Sequence, residues 1–218
     1  MESDVDRWVS DGVAFLGRFR PCSVGCWVLH HGGEAAILEM PPSRARRRPP
    51  WSAAKGFLRR HHLRPKFMLT SHVHWDHLGG YPGFRHAFPR VPFLAHESFL
   101  RTLRFPPVDR VMTGPETVLD LGGEPLIVLH APKHSPTDLL VVFRGTVATG
   151  DWSLGRAPDC NGLVPKPTKL AAMAHARDVL RRRSYGVHTA FSAHANETRR
   201  GIDFTGLLDD MIGWWARR

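Results

Sequence analysis

The sequence predicts a mixed α/β (α+β) fold in which mixed sheets are covered by helices. Three observations predict it. Strand-like and helix-like segments follow one another as strands, helix, strand, helix, then hairpins, helix, strand, helix. Glycine turns, Gly32-Gly33, Gly122-Gly123 and Arg144-Gly145, join several strand-like runs into hairpins. Finally, 218 residues with 42% hydrophobic content suit one globular domain, 1–218, with enough apolar surface for a core.

Each element has its own signal. Residues 13–19 and 26–30 read as strands. His31-Gly32-Gly33-Glu34 then turns the chain into a third short strand, 35–39. Residues 41–51 break the pattern with four prolines and with Arg44, Arg46, Arg47 and Arg48, and read as an exposed loop. Trp51 to His62 has helical spacing of Trp51, Ala54, Phe57 and Leu58, with Ser52 as a candidate N-cap. Lys66 to Ser71 is a buried strand running directly into His72-Val73-His74-Trp75-Asp76-His77, with a helix from about Leu78. Residues 92–96 read as a strand and Glu97 to Arg104 as a short helix. Two hairpins follow, 117–121 with 125–130 and 138–143 with 146–149. Lys169 to Arg183 is a basic amphipathic helix, Gly186 to Ser192 a strand leading to His194, and Thr205 to Ala216 a closing helix.

Charge and cysteine content narrow the class. Lys and Arg number 30 against 20 acidic residues, a formal +10. The excess gathers in Arg44–Arg48 and Arg181–Arg183, which are read first as solvated surface and second as contacts for a phosphate backbone or an anionic substrate. Aromatic residues are not interleaved with those arginines, which speaks against single-strand nucleic-acid binding. The sequence holds no apolar run long enough to span a membrane, and the acidic start reads as no secretory signal. Three cysteines make no disulfide framework, so a reducing cytoplasm is expected.

Histidine carries the chemistry. There are 14, and one cluster, His72-x-His74-x-Asp76-His77, puts four metal-competent side chains at a strand end. Side-chain alternation lets His72 and His74 point the same way. Imidazoles with a carboxylate suit borderline divalent ions, zinc first.

This run resembles the metal motif of the metallo-β-lactamase superfamily, and the family's later motifs follow in order. Ala131-Pro132-Lys133-His134-Ser135-Pro136 is similar to its Pro-Gly-His-Thr-Pro-Gly run, Thr149-Gly150-Asp151 to its Gly-Asp strand end, and Ser192-Ala193-His194 to its last histidine. The resemblance covers about residues 12–196 and implies a four-layer αββα sandwich with the metal site at one edge of its two sheets. It implies that His72, His74 and His134 hold one cation, that Asp76, His77 and His194 hold a second, and that Asp151 bridges them together with a hydroxide. Asp76 and Asp151 are then the catalytic carboxylates. Two divalent ions, Zn2+ first, with iron and manganese accepted by the same donors, would acidify a shared water and polarise the scissile group. Two departures stand out. Glu39 occupies a strand end where many members carry Asp, either supporting the ligands or lying on the surface. Lys133 replaces a glycine, either meeting an anionic substrate group or pointing to solvent. Trp75 and Asn196 are further candidate substrate contacts.

The resemblance favours a glyoxalase II-like branch that hydrolyses a thioester, ester or lactone of a small, anionic substrate. A β-lactamase proper fits less well. A phosphodiesterase or nuclease on the same dimetal site, a persulfide-dioxygenase-like enzyme with a single iron, and a non-catalytic scaffold are the alternatives. Oligomeric state is not encoded legibly.

Overall fold

The structure, a computed structural model, describes residues 7–44, 48–101, 106–155, 163–194 and 197–218. Arg46, Arg47 and Asn196, each singled out above, lie outside the described residues, as does Cys160.

The N-terminal half builds one sheet. Strands β1 (Arg7–Ser10), β2 (Val13–Phe19), β3 (Val24–His31), β4 (Glu34–Leu38) and β5 (Arg64–Leu69) lie in that spatial order. The first four pair antiparallel and β5 joins β4 in parallel. The parallel step requires a crossover, which helix α1 (Pro50–Arg60) supplies. Its Ala54, Phe57 and Leu58 are buried toward the sheet. The helix starts one residue before the predicted point, and Ser52 is not its cap. Pro50 takes the first turn, where a missing N–H costs nothing and a fixed φ helps.

After β5 the chain makes a single helical turn, α2 (Trp75–Leu78), breaks at Gly79-Gly80, and resumes as α3 (Tyr81–Ala87). The helix therefore begins three residues earlier than the sequence indicated, with Asp76 and His77 of the metal motif already inside it. Strands β6 (Leu94–His96) and β7 (Arg110–Met112) form a small parallel pair, and a 3-10 turn covers Glu97–Arg101.

The C-terminal half builds a six-stranded sheet. Its strands are β8 (Glu116–Leu121), β9 (Glu124–His130), β10 (Leu139–Phe143), β11 (Thr146–Ala148), β12 (Thr189–Phe191) and β13 (Thr198–Arg200), in the order β13-β12-β11-β10-β9-β8. Helices α4 (Lys166–Arg182) and α5 (Phe204–Ala216) cover it. Alternation sorts the two faces. Ile127, Leu129, Leu140 and Val142 pack with Met173, Val179, Phe204 and Leu208 of the two helices. Leu126, Val128, Leu139 and Val141 turn the other way, into a core shared with Val13, Val28 and Ile37 of the first sheet. Helix, sheet, sheet and helix thus stack as the αββα sandwich. Trp27 of β3 stacks on Phe191 of β12 at 5.1 Å, joining the sheets beside the strand ends that carry the histidines.

Candidate metal centre

Four segments at one edge of the sandwich carry the metal-competent residues singled out above. The 70–77 segment leaves β5, the 131–138 loop links β9 to β10, and Thr149–Asp151 and Ala193–His194 leave the adjacent parallel strands β11 and β12. Gly150 explains how they close together. It sits at φ +57°, and a Cβ there would lie 3.0 Å from both Cβ and Oγ of Ser71. Only a glycine lets the Asp151 turn pack onto the strand end bearing His72.

The side chains converge in two groups. His72, His74 and His134 offer ligand atoms within 4.8 Å of one another, and so do Asp76, His77, Asp151 and His194. Asp151 lies between the groups. Its Oδ2 is 3.4 Å from His77 Nε2, 3.5 Å from His194 Nε2 and 3.8 Å from His72 Nε2. Asp76 Oδ2 is 3.4 Å from His77 Nε2 and 3.5 Å from His194 Nε2. The donor set fits divalent cations. Five imidazoles and two carboxylates supply borderline N and O donors in two compact groups. Buried His77 Nε2 and Asp151 Oδ1 have no hydrogen-bond partner among the described residues, a costly state that a cation at the site relieves.

Electrostatics express the same convergence. Burial works against ionisation of Asp76 and Asp151, yet His194 and His77 beside them hold both carboxyls well below the usual range. His194, hydrogen-bonded to Asp151 and Asp76, is raised to about 9. His77 is raised too: burial opposes the charge, but Glu39, Asp151 and Asp76 surround the ring. His72 shifts the other way, because burial and the neighbouring His77 disfavour its cation.

The candidate ligands are held from behind. Glu39 is 1% exposed, which removes the surface reading of this carboxylate. It accepts hydrogen bonds from Thr70 Oγ1 at 2.8 Å and Ser71 N at 3.1 Å, and pairs with His77 Nδ1 at 3.2 Å. His77 Nε2 is thereby turned toward the two aspartates. Ser71 Oγ meets His72 Nδ1 at 3.0 Å. Asp138, to which the sequence reading gave no role, is the hub of the His134 loop. It accepts from the N–H groups of Lys133, His134 and Ser135 at 2.5–3.1 Å and stands 3.5 Å from His134 Nδ1. An Asp four residues after a turn histidine is the only sequence signal for it.

Lys133 does not point to solvent. It is fully buried, its Nζ donates to Ser153 O at 3.0 Å, and it lies 5.4 Å over the Trp152 ring. Trp75, by contrast, is 60% exposed. Tyr81 and Tyr185 donate to the carbonyls of Pro107 and Pro125, which accounts for both structurally. A cleft of about 590 Å³ opens beside His74, with His96, Ser98, Arg101, His130 and Thr137 in its walls. The sequence reading missed His96 and His130, whose stacked rings (4.3 Å) come from separate elements.

A family model described as the metallo-beta-lactamase superfamily matches residues 19–194. The chain belongs to the metallo-beta-lactamase superfamily. Among solved structures, DIM-1 metallo-beta-lactamase superposes with a TM-score of 0.75 at 15% identity, over 98% of this chain and 97% of that one. A metallo-beta-lactamase from Pontibacter korlensis gives 0.71 at 13% identity, over 98% and 99%. Rubredoxin oxygen:oxidoreductase from Desulfovibrio gigas gives 0.71 at 10% identity, over 98% of this chain and 62% of that one. No curated protein matches significantly. This superfamily member thus combines a hydrolase-like fold with a candidate His/Asp metal cluster. Among the described residues, no helix is long and apolar enough to cross a membrane.

Proposed function

We propose that this chain is a dinuclear, zinc-dependent hydrolase of a small, anionic ester, thioester or lactone, of the glyoxalase II-like branch and working in the cytoplasm. The observation that carries the reading is the position of Asp151 between the trihistidine group and the Asp76–His77–His194 group. His72, His74 and His134 would hold one cation and Asp76, His77 and His194 the other, with Asp151 touching both. Bound there, two such cations supply Lewis acidity toward the scissile carbonyl and bring a water's pKa toward neutrality.

The chain's own residues do the rest. The histidines must be neutral to ligate, and Glu39 and Asp138 fix which ring nitrogen faces inward. Asp76, half-buried and held ionised, is placed to orient an attacking water. The open cleft beside His74 gives a substrate room to approach the trihistidine group.

Elemental analysis of the purified protein, followed by a panel of thioester, lactone, ester and phosphodiester substrates, tests the reading. Two equivalents of zinc with carbonyl-ester turnover are expected. Turnover of phosphodiesters alone, or one iron with oxygen consumption, would replace it with one of the other chemistries.

A further inference from the structure

A second cleft, of about 350 Å³, lies between the 42–44 segment and the α2–α3 corner, with Trp75 of the metal motif in its wall. Its composition is unusual. Two tryptophans, Trp51 and Trp75, line it together with prolines and glycines, and Arg44 is the only charged residue among its described lining. Among the described residues of the lining, no carboxylate competes for that guanidinium.

Both indoles are seated against glycine. A Cβ on Gly79 would lie 2.8 Å from Trp75 Nε1 and 2.9 Å from its Cε2. A Cβ on Gly83 would lie 2.5–2.6 Å from three atoms of the Trp51 ring. The Trp51 ring is also held edge-on by buried Phe84 at 6.1 Å. The corner itself is sealed, since Gly80 N donates to Met40 O at 2.9 Å. Two flat surfaces are thus fixed by backbone rather than by adjustable side chains. Trp75 nevertheless leaves 60% of its surface to water, an exposure that burial against a ligand would remove. Its neighbours in sequence, His74 and Asp76, belong one to each of the two metal-competent groups, so the indole stands one residue along the chain from both.

We propose that this cleft receives a flat aromatic group of the substrate, with Arg44 meeting an acidic substituent on that ring. The proposal rests on the hydrolase reading above and names its substrate class: esters bearing an anionic aryl group. Aromatic faces prefer flat partners, and a guanidinium recognises a carboxylate through two parallel hydrogen bonds.

The test uses the zinc-loaded full chain and three acetates of similar leaving group: benzyl, cyclohexylmethyl and 4-carboxybenzyl. The wild type should favour benzyl over cyclohexylmethyl acetate by about tenfold in kcat/KM, the ratio expected from one good aromatic contact. Trp75→Ala should bring that ratio close to one through KM, and Trp75→Phe should restore most of it. Arg44→Ala should raise KM for the 4-carboxybenzyl ester specifically. Calorimetric titration with 4-carboxybenzyl alcohol on the chelator-treated protein gives a readout independent of turnover, with binding in the wild type and loss in Trp75→Ala. Equal rates for flat and puckered esters, or unchanged alcohol binding in Trp75→Ala, would overturn the proposal. Failure to hydrolyse any of the esters while the alcohol still binds at Trp75 would sink the hydrolase reading and leave the aromatic subsite standing.

Discussion

Glu39 shows how much one buried carboxylate does at the scale of a residue. It stands in the left-handed region at φ +69°, a conformation that costs a non-glycine residue about 1 kcal/mol or more. The turn aims its carboxylate back beneath the metal motif, onto Thr70, Ser71 and His77 together. Replacing it by glutamine keeps the volume but removes the charge that fixes the His77 ring. Glu39→Gln should therefore weaken metal binding about tenfold to a hundredfold, the usual cost of losing such support. Competition against a chromogenic chelator measures this, and wild-type affinity in the variant would remove Glu39 from the centre. Asp151 makes the sharper case. Asp151→Ala deletes the carboxylate proposed to bridge the two groups, so zinc content should fall and ester hydrolysis should disappear. Full activity in that variant means the bridge is assigned wrongly.

Among the elements, the loops that deliver ligands are tied to one another as well as to their strands. Lys133 donates to Ser153 O, and Trp152 Nε1 donates back to Ala131 O at 3.1 Å, so the His134 loop and the Asp151 loop are cross-linked twice. Lys133→Met should remove the charged hydrogen bond to Ser153 O and the ammonium's contact over Trp152, a loss of about 1.5–3 kcal/mol. For a chain of this size each kcal/mol shifts Tm by about 2–4 °C, which thermal unfolding will resolve. An unchanged Tm would mean that the ammonium contributes nothing in the interior. The sequence carried the metal-competent residues that converge because metal chemistry restricts residue types, and it carried the long strands because their apolar runs are unmistakable. Lys133 was not legible: a lysine next to a ligand reads as surface or as substrate contact until its aromatic neighbour is located. Nor were β1, β7 and β13. Three or four residues, several of them arginine, leave no period to detect, and their pairing is decided by neighbours distant in sequence. The start of α2 was misplaced for a related reason, since the ligands themselves occupy the helical turn.

For the whole molecule, the packed histidines and aspartates make stability depend on pH and metal together. His77 and His194 have folded-state pKa values above the ordinary 6.5, the latter about 9. A group raised on folding stabilises fully below its unfolded pKa and loses that stabilisation as pH climbs through the folded value. The groups with depressed values behave oppositely. Asp76 and Asp151 contribute above about pH 4, and buried His72, disfavoured as a cation, destabilises the fold as pH falls below about 6.5. Between about pH 7 and 9 these depressed groups are silent, while His194 and His77 still hold protons that the unfolded chain has released. Chelator-treated protein should therefore melt at progressively lower temperature as pH rises from 7 to 9. Zinc ought to flatten that slope, because ligation replaces the protons that neutralise the two aspartates. At about a hundredfold excess over its Kd, zinc adds about 2.7 kcal/mol, or about 5–11 °C in Tm. Differential scanning calorimetry across that range, with and without zinc, checks both slopes. A metal-free protein whose Tm is level from pH 7 to 9 would show that the imidazoles and carboxylates are not coupled as their geometry requires.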